Sequence, residues 1–560
     1  MNKKGKVLVV FGEEFPESLQ KDQYAEVIMA KDFVEPGSIY EATAFIEELV
    51  KIKLPDGTPL PKSFFYKGYE LWWIHYNSLF TYFCLPFAQY KNLLNKIKDF
   101  ETIDLYKSPF KQLFMHFLEA HDCKVNIIAD AKPERALPFG VLLQILLNII
   151  FVPVLIVMRP KVLVFAGDKF EKGKDFDFRM RFVYKELRGK GIRFMEFIRS
   201  LESWKTVVDH AKERRRPVVY SEAILFVSRF LSYIIRRNRF KYDLSTVSNS
   251  EERFKLLVGV HYIKSASVDI WAIRISRLII RLIGVKAAYF SAALDRNYPA
   301  VLGCKLNNIP TVGILHGVAS KYYNGYDFLP GFNGEKSLSL DKYGVWSDWW
   351  KKYYIKHGNI YKPEQIFVSG PMRPLEEKIV SQAETDSRGK VRILFISEQL
   401  AVPQEVLPYL DRLLSEKDLE VNIIFRQFKD GFQEWLMKNR PEIIKNPNLK
   451  VVVKSLPEAI RETDIAVGTM STAVLEMLLQ NKTPLFFFTK KWGDYFSLKE
   501  YQKDHSFFAS NPDELINRIR KAINIEDSDI KDLKERYFGD PYQNGSKWVV
   551  DQLEGFLATR

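Results

Sequence analysis

The segment from Asp464 to Phe488 constrains the fold of this chain more than any other part of the sequence. It reads DIAVGTMSTAVLEMLLQNKTPLFFF, which is an apolar run, a turn with Gly and hydroxyl residues, a helical pattern and a second apolar run. The apolar residues of the middle part recur at helical spacing. A strand, a helix and another buried strand in this order form a βαβ unit, so the segment predicts an α/β fold with a parallel sheet.

The turn inside this segment also predicts a binding site. Gly468 has no Cβ, so a ligand can approach the backbone there. Thr469, Ser471 and Thr472 bring hydroxyl and N–H groups to the expected start of a helix, where a phosphate is stabilised. Glu476 lies one turn further on, where a carboxylate can accept hydrogen bonds from ribose hydroxyls. The alternative is an ordinary βαβ unit in which the hydroxyl groups only cap the helix.

The pattern of a strand followed by Gly-x-x-Ser-Thr-Ala-x-x-Glu resembles the C-terminal domain of GT-B glycosyltransferases, which use nucleotide-activated sugars. The similarity is greatest to enzymes of bacterial surface-carbohydrate synthesis and to the CDP-glycerol glycerophosphotransferases. The resemblance implies an α/β protein with two Rossmann-like domains (GT-B) and an additional N-terminal α/β region. It also implies that an acceptor hydroxyl displaces a nucleoside phosphate from an anomeric carbon, with no metal and no cofactor besides the nucleotide-sugar substrate.

A chain of 560 residues is too long for a single core and predicts several domains. We expect an N-terminal α/β region over 1–158, a Rossmann-like acceptor domain over 159–380 and a Rossmann-like nucleotide-sugar-binding domain over 381–560. The N-terminal residues form either a separate α/β module or an elaborated half of the first Rossmann domain, and both alternatives stay open. The second domain begins with the strand-like run KVLVFAG at 161–167. The third follows the polar stretch 381–390, which has the composition of a linker.

The charge of the chain bears on its partners and its location. A net charge of +14 with 14% aromatic residues is compatible with nucleic acid as a partner. The basic residues, however, cluster beside long apolar stretches in the middle third, which favours an anionic membrane surface over nucleic acid. The first residues, MNKKGKVLVVFGEEF, predict a strand instead of a secretion signal, so we expect a cytoplasmic protein. Three cysteines without metal-type spacing agree with a reducing compartment.

Residues 137–158 form a long apolar run without a charged residue, and Arg135, Arg159 and Lys161 flank it. Three alternatives stay open for this run: a helix that spans a membrane, a monotopic or re-entrant membrane contact, and a buried helix and strand of the fold. Contact is the preferred interpretation. It predicts a peripheral or monotopic protein at the inner face of the membrane.

Two further segments, 223–241 and 270–284, have the pattern of basic amphipathic helices. In the second, Arg274, Arg277 and Arg281 recur three and four residues apart, which places them on one helical face. Helices of this kind can lie on anionic lipid. The alternative is a helix that packs its apolar face on a sheet and exposes its arginines to water.

The implied reaction needs a cation that neutralises charge on the departing phosphate. Arg426 is the first candidate, because it follows the apolar strand VNIIF and its guanidinium would project into the cleft between the domains. Relatives often have a His-Pro pair here, whereas this chain has Arg426, Gln427 and Phe428, which leaves the nucleotide open. Arg373, in SGPMRP, resembles the Gly-x-Pro turn between the domains of relatives and is the second candidate. The alternative for either arginine is a salt-bridged surface residue.

The acceptor hydroxyl must also lose a proton to a base. His316 follows the strand-like run TVGIL, and the matching His-Gly pair in CDP-glycerol glycerophosphotransferases is assigned a catalytic role. Asp295, after the neighbouring run AAYFS, is the rival base. The alternative for His316 is a ring that bonds a backbone carbonyl in its own turn. Ser397 and Glu398 follow the first strand of the third domain and are expected to face the donor.

The leading interpretation is a membrane-associated GT-B glycosyltransferase that moves a sugar from a nucleotide-sugar donor to a lipid-linked or cell-envelope glycan acceptor. Such an enzyme would belong to polysaccharide biosynthesis. Transfer of an alditol phosphate and epimerisation of a nucleotide sugar, both on the same fold, are the enzymatic alternatives. The non-enzymatic alternative is a nucleic-acid-binding protein, which would need a contiguous basic stripe with aromatic residues.

Overall fold

The computed structural model of the chain describes most of its residues, and three separate parallel β-sheets account for its architecture. The described residues are 3–12, 14–16, 19–130, 139–166, 175–176, 180–198, 204–214, 216–235, 243–291, 297–315, 317, 320–322, 328–329, 331–332, 336, 338–375, 390–398, 401–425, 431–500, 507–523 and 527–559.

The N-terminal region contains a small parallel sheet and a short hairpin. Its strands are β1 (Lys4–Val10), β2 (Glu26–Met29), β3 (Phe65–Tyr66), β4 (Tyr69–Glu70), β5 (Phe100–Ser108) and β6 (Lys124–Asp130). Its helices are α1 (Ile39–Lys51), α2 (Tyr76–Leu79), α3 (Leu85–Gln89), α4 (Lys91–Ile97), α5 (Lys111–Ala120) and α6 (Phe139–Met158). The sheet has the order β2, β1, β5, β6, and β3 pairs with β4 as an antiparallel hairpin.

The middle part of the chain forms a parallel sheet of seven strands. The strands are β7 (Val162–Ala166), β8 (Phe194–Ile198), β9 (Val219–Tyr220), β10 (Ala287–Phe290), β11 (Thr311–Ile314), β12 (Lys342–Val345) and β13 (Ile366–Val368). The helices are α7 (Arg181–Gly189), α8 (Trp204–Arg214), α9 (Ser221–Ile234), α10 (Ser250–Ile283), α11 (Tyr298–Lys305) and α12 (Asp348–His357). The strand order is β13, β12, β11, β10, β7, β8, β9.

The C-terminal part forms a parallel sheet of six strands. The strands are β14 (Val391–Ile396), β15 (Leu419–Ile424), β16 (Leu449–Val451), β17 (Ile465–Gly468), β18 (Thr483–Phe487) and β19 (Phe508–Ala509). The helices are α13 (Pro403–Leu414), α14 (Gly431–Asn439), α15 (Pro441–Ile444), α16 (Leu456–Arg461), α17 (Thr472–Leu475), α18 (Pro512–Ala522), α19 (Asp527–Phe538) and α20 (Gly545–Ala558). The strand order is β16, β15, β14, β17, β18, β19.

Both large sheets have the strand order of a Rossmann fold. Counted from the first strand of each sheet, the order is 3-2-1-4-5-6, with β13 as an extra edge strand in the middle sheet. The order reverses between β7 and β10 and between β14 and β17, and such reversals open a crevice at the carboxyl ends of the strands. The predicted fold class, α/β with two Rossmann-like domains and an additional N-terminal α/β region, is confirmed. The domain boundaries at 158 and 380 stay predictions.

The central strands form because their sequences are nearly continuous apolar runs, as expected for strands covered on both faces. Every residue of β7 and of β17 is buried. Asp464 fixes the start of β17, since its carboxylate accepts a hydrogen bond from the backbone N–H of Arg392 at 2.9 Å and pairs with that guanidinium at 2.8 Å. The neighbouring strands β14 and β17 are therefore held together at their first residues as well as along their length.

The C-terminal helix returns to the middle sheet. Helix α20 packs against α7, β10 and β11, and the hydroxyl of Ser546 donates to the carbonyl oxygen of Met372 at 2.6 Å. The chain thus passes between the two large sheets twice, first between β13 and β14 and again between α19 and α20.

The aromatic segment 69–83 does not form one continuous helix. It forms β4, a 3-10 helix over Leu71–His75, α2 and a π-helical turn that starts at Phe80. Trp72 and Trp73 are both buried, and the indole of Trp73 donates to Glu70 at 2.6 Å. A regular amphipathic helix turns successive side chains about 100° apart and buries one stripe, whereas this segment is covered on several sides.

The described part of the apolar run, Phe139–Met158, folds as one helix, α6, so the alternative of a buried helix and strand is wrong. Among the described residues, α6 is the one helix long and apolar enough to cross a membrane, and most of its residues are not buried. Helix α5, which precedes α6, packs against α10, which follows it. A bilayer-spanning α6 would separate these two helices, so their packing disagrees with a span. Membrane contact stays a prediction.

The two predicted amphipathic segments correspond to α9 and to the end of α10. Of the three arginines predicted to share a face, Arg277 is half-buried and donates to Asn307 Oδ1 at 3.2 Å. Arg274 is exposed, and its guanidinium lies 5.1 Å from the ring centre of Trp271 on the same helix. Arg277 therefore takes part in packing, and contact of this face with lipid stays a prediction. Arg281, one turn before the left-handed Gly284 that ends the helix, is exposed.

Candidate functional site

A cavity of about 240 Å³ lies where the chain passes from the middle sheet to the C-terminal sheet. Its walls come from the segment after β13, from the turn that begins with α17, and from the loop after α19. The lining residues are Phe182, Trp346, Pro371, Met372, Arg373, Pro374, Leu375, Thr472, Glu476, Leu479, Phe538 and Pro541. A mostly apolar wall with a few convergent polar groups is typical of a small-molecule site. Three residues predicted from the sequence, Arg373, Thr472 and Glu476, meet in this cavity.

Arg373 and Glu476 provide the charges of the cavity. Arg373 Nη2 lies 3.8 Å from Glu476 Oε1, which is close enough for an ion pair and too long for a hydrogen bond. The Glu476 side chain is 24% exposed. Burial raises the pKa of Glu476 above its usual value, and the positive charge of Arg373 offsets only part of this effect. The carboxylate is therefore held in a position where it lacks full solvation.

The turn before α17 contains both a cap and a buried hydroxyl without a partner. Ser471 Oγ accepts a hydrogen bond from the N–H of Ala473 at 3.3 Å, so Ser471 caps the helix, as the alternative interpretation states. Thr469 is 6% exposed, and its hydroxyl has no hydrogen-bond partner among the described residues. Because buried polar groups are normally paired, the hydroxyl of Thr469 is available to a ligand.

The helix predicted after this turn is shorter than its sequence pattern indicates. Helix α17 has four residues and continues as a 3-10 helix over Glu476–Gln480. Asn481 then ends the element with a φ of 54°, in the left-handed region. The short, tightened helix places Glu476 at the start of the 3-10 turn, where its side chain faces the cavity instead of continuing along a regular helix.

Gly468 has a packing role that differs from the one predicted. A Cβ at this position would lie 2.6 Å from Val474 Cγ2 and 3.2 Å from the carbonyl oxygen of Ile396. The space beside Gly468 is thus filled by the chain itself, and a close approach of the helix to the sheet requires the glycine. Approach of a ligand to this backbone, the reason predicted for the glycine, stays a prediction.

Ser397 and Glu398 lie at the reversal of strand order but do not line the cavity. Both follow β14, which pairs directly with β17, and both are buried at 2% and 5% exposure. The backbone N–H of Ser397 donates to the carbonyl oxygen of Ile424 at 3.1 Å. The strand order therefore brings them to the same edge of the sheet as Thr469, and their contact with a donor stays a prediction.

Three predicted residues, Arg426, His316 and Asp295, lie outside the described residues. The strands that lead to them are described. β10 and β11 are neighbours, with Phe290 opposite Gly313, so the turns that carry Asp295 and His316 leave adjacent strand ends. The adjacency of β10 and β11 agrees with the sequence argument, whereas the positions and roles of Asp295 and His316 stay predictions.

The N-terminal region contacts both large domains beside the crevice, and no sequence pattern indicates these contacts. The N–H of Ile39 donates to the carbonyl oxygen of Lys491 at 2.9 Å, and the N–H of Asp494 donates to the Tyr40 hydroxyl at 3.0 Å. The ring of Tyr40 also meets that of Tyr322 edge to face, with centres 4.5 Å apart. The start of α1 therefore joins the loop after β18 to the segment after β11.

Two aromatic rings of the cavity were also missed. Trp346 directly follows β12, and its indole donates to the carbonyl oxygen of Leu315 at 2.6 Å. Its ring stacks on Phe538, with centres 5.5 Å apart and planes 8° from parallel. The position of Trp346 at a strand end could have indicated a place in the site. Nothing in the sequence indicates that Phe538, near the C-terminal end of the chain, covers its ring.

None of the three cysteines lines this cavity. Cys84, Cys123 and Cys304 are free and buried. Burial raises the pKa of Cys84 and that of Cys123, which keeps both thiols protonated. Within the described part of the chain, no group of three or more His, Cys, Asp or Glu side chains is arranged to hold a metal ion.

Comparison with known proteins gives structural neighbours of low similarity. No protein-family model and no curated protein sequence matches the chain. A putative UDP-N-acetylglucosamine 2-epimerase from Listeria monocytogenes is similar at 12% identity and a TM-score of 0.41, over 72% of this chain and 97% of that one. MurG from Acinetobacter baumannii is similar at 14% identity and a TM-score of 0.40, over 71% and 100%. UDP-GlcNAc 2-epimerase from Neisseria meningitidis bound to UDP-GlcNAc has 11% identity and a TM-score of 0.38, over 71% and 100%. Values this low support no conclusion about chemistry.

Proposed function

We propose that this chain binds a nucleotide-sugar at the carboxyl edge of the C-terminal sheet and transfers the sugar to an acceptor hydroxyl. The supporting observation is the cavity in which Arg373, Thr472 and Glu476 meet at the crossing between two Rossmann-like sheets. A cation, a hydroxyl and a carboxylate suit the phosphates and ribose of a nucleotide. The cavity is smaller than the roughly 300 Å³ at which complete ligand pockets begin. The rest of the donor would therefore extend along the strand ends toward Thr469.

Each side chain has a separate role in this proposal. The carboxylate of Glu476 accepts hydrogen bonds from ribose hydroxyls, and Arg373 balances negative charge on the departing phosphate. The hydroxyl of Thr469 donates to a phosphate oxygen, which supplies the partner it lacks inside the protein. Arg426, expected at the end of β15, adds a second positive charge to the phosphates.

The proposed reaction is a displacement at the anomeric carbon without a metal. The acceptor oxygen forms a bond to that carbon while the bond from the carbon to the phosphate oxygen breaks, and the nucleotide leaves with the electron pair. The acceptor proton passes to a base, with His316 as the first candidate and Asp295 as the second. The arginines supply the electrostatic stabilisation that the leaving group needs.

The acceptor we propose is a lipid-linked or cell-envelope glycan that approaches from the N-terminal region. The contacts of α1 with Tyr322 and Asp494 place this region beside the crevice of both large domains. An acceptor bound there would reach the strand ends of the middle sheet, from which the two candidate bases project in this proposal.

The first test is a thermal-shift titration with UDP, CDP, GDP, dTDP and their sugar conjugates. A ligand that binds only the folded protein raises its stability by about 2.7 kcal/mol at a hundredfold excess over Kd. We expect one nucleotide to stabilise the protein selectively. Failure of every nucleotide to stabilise a protein that melts cooperatively would overturn the proposal.

The second test concerns the reaction itself. With the nucleotide identified, His316→Ala and Asp295→Ala should keep the thermal stabilisation, and the variant of the true base should lose acceptor-dependent release of the nucleotide. Conversion of the sugar without any acceptor would assign epimerisation instead. Full turnover in both variants would contradict the roles proposed for His316 and Asp295.

A further inference from the structure

One face of α6 is exposed although its side chains are apolar. The exposed residues are Phe139, Leu142, Leu146, Ile149, Ile150, Val154, Val157 and Met158. Phe139 is 79% exposed at one end of the helix and Val157 is 83% exposed near the other. A helix of 20 residues is about 30 Å long, so the apolar face, defined by these eight residues, extends along one side of the domain. Exposed apolar surface of this extent marks an interaction site.

The opposite face fixes α6 to the middle domain. Gln144 and Leu155 are buried, and Phe151 packs against the small core formed by the ends of β8 and β9. The side-chain amide of Asn148 donates to the carbonyl oxygen of Tyr220 at 2.9 Å and accepts from its N–H at 2.8 Å. Because Tyr220 belongs to the edge strand β9, Asn148 takes the place of a neighbouring strand. The apolar face is therefore held outward.

Basic residues gather at the C-terminal end of α6. Arg159 and Lys161 follow the helix directly, and Arg193 donates to the carbonyl oxygen of Met158 at 3.2 Å. The backbone N–H of Lys286 donates to the carbonyl oxygen of Lys161 at 2.8 Å. The side chains of this basic cluster, Arg159, Lys161, Arg193 and Lys286, are exposed, and none forms an ion pair with a described residue.

We propose that the apolar face of α6 and the basic cluster form a docking surface for a bilayer of anionic phospholipids. The helix would lie parallel to the membrane, with its apolar face at the boundary of head groups and acyl chains and the cluster on the phosphates. Charge complementarity selects this partner. The cluster is positive and suits anionic head groups, and no Asp or Glu occurs from 139 to 166 that could attract a basic partner. Helix α9, which packs against α6, adds the exposed Phe230 and Ile234. The proposal for this docking surface does not rest on the proposed nucleotide site.

Vesicle flotation tests the apolar part of the surface with matched variants. The full-length protein should float with vesicles of phosphatidylcholine and phosphatidylglycerol. Val157→Glu should weaken binding by roughly tenfold or more, because it places a charge at the acyl boundary. Val453→Glu, the same change at a residue that is 93% exposed in the C-terminal domain, should bind like the unmodified protein. Equal loss in both variants, or no flotation of the unmodified protein, would overturn the proposal.

The same assay tests the charge of the surface. Binding should fall when phosphatidylcholine replaces phosphatidylglycerol, and Lys161→Glu/Lys286→Glu should weaken it by roughly fivefold or more per lysine. The control Lys417→Glu/Lys438→Glu changes the same charge at exposed positions of the C-terminal domain. Size-exclusion chromatography with light scattering tests the alternative that a second copy of the chain binds the apolar face. If the protein is a dimer that Val157→Glu converts to a monomer, and if it does not bind vesicles, the face belongs to the dimer interface and the proposal is overturned.

Discussion

The two hydrogen bonds between Asn148 and Tyr220 allow a quantitative prediction about how α6 is attached. Asn148→Ala leaves the N–H and the carbonyl of Tyr220 without partners at the edge of the middle sheet. An unsatisfied buried polar group costs about 1 to 3 kcal/mol, so two such groups cost about 2 to 6 kcal/mol. Both bonds are only partly buried, so we expect a loss of stability in the lower part of this range, about 2 to 4 kcal/mol.

A second variant distinguishes the donor from the acceptor. Asn148→Asp keeps an acceptor for the Tyr220 N–H but places a carboxylate against the Tyr220 carbonyl oxygen at neutral pH. This repulsion raises the pKa of the new carboxyl in the folded state. A raised pKa means that the folded state binds the proton more tightly than the unfolded state, so stability should recover as pH falls. The alanine variant has no such group and should show no recovery.

Urea unfolding followed by far-UV circular dichroism measures both effects. The control is Asn439→Ala, which removes one exposed hydrogen bond of 2.9 Å to the carbonyl oxygen of Trp435 and should change stability by no more than about 0.5 kcal/mol. If Asn148→Ala proves as mild as Asn439→Ala, α6 is not fixed through the edge of β9, and the outward orientation of its apolar face loses its structural basis.

Three further predictions concern Gly468, Glu476 and His116. Gly468→Ala should destabilise the protein by about 1 to 3 kcal/mol through overpacking against Val474, and in a double-mutant cycle Val474→Ala should relieve part of that loss; strictly additive urea midpoints would contradict the packing role. Burial raises the pKa of Glu476, so the folded state binds its proton more tightly than the unfolded state, and this residue lowers stability as pH rises above about 4.5. Glu476→Gln should remove this dependence of the melting temperature on pH, and an unchanged dependence would contradict the raised pKa. Burial, with a smaller contribution from His261, lowers the pKa of His116 to about 4, so stability should fall by up to about 3 kcal/mol as pH drops from 6.5 to about 4. His116→Leu should flatten this fall, and an identical pH profile in the variant would refute the role of His116 in it.

The sheets were predictable from the sequence because their strands carry the strongest local signal. VLVFA of β7 and IAVG of β17 are continuous apolar runs, and such runs predict strands buried on both faces. Helix α6 was predictable as an apolar element for the same reason, but its attachment was not. Nothing local to Asn148 indicates that its amide completes the edge of a strand that lies 72 residues further along the chain.

The candidate site was predictable in composition and not in geometry. Arg373 and Glu476 were chosen for separate roles, yet their proximity depends on how the chain crosses between two sheets. Gly468 was assigned to ligand approach because its neighbours across the turn, Val474 and Ile396, could not be known to fill the space. The contact of Tyr40 with the C-terminal domain escaped prediction for the same reason, since long-range packing leaves no periodic pattern.

The most direct test of the central claim is equilibrium binding of the selected nucleotide to Arg373→Ala, measured by isothermal titration calorimetry. Arg520→Ala is the matched control, because Arg520 also pairs with a glutamate but lies on the surface of the C-terminal domain. If the nucleotide binds in the cavity beside Glu476, Arg373→Ala should weaken binding by roughly tenfold or more, since a charge-assisted bond to phosphate is lost, and Arg520→Ala should leave Kd unchanged. Equal affinity in the unmodified protein and both variants would place the nucleotide elsewhere and contradict the account.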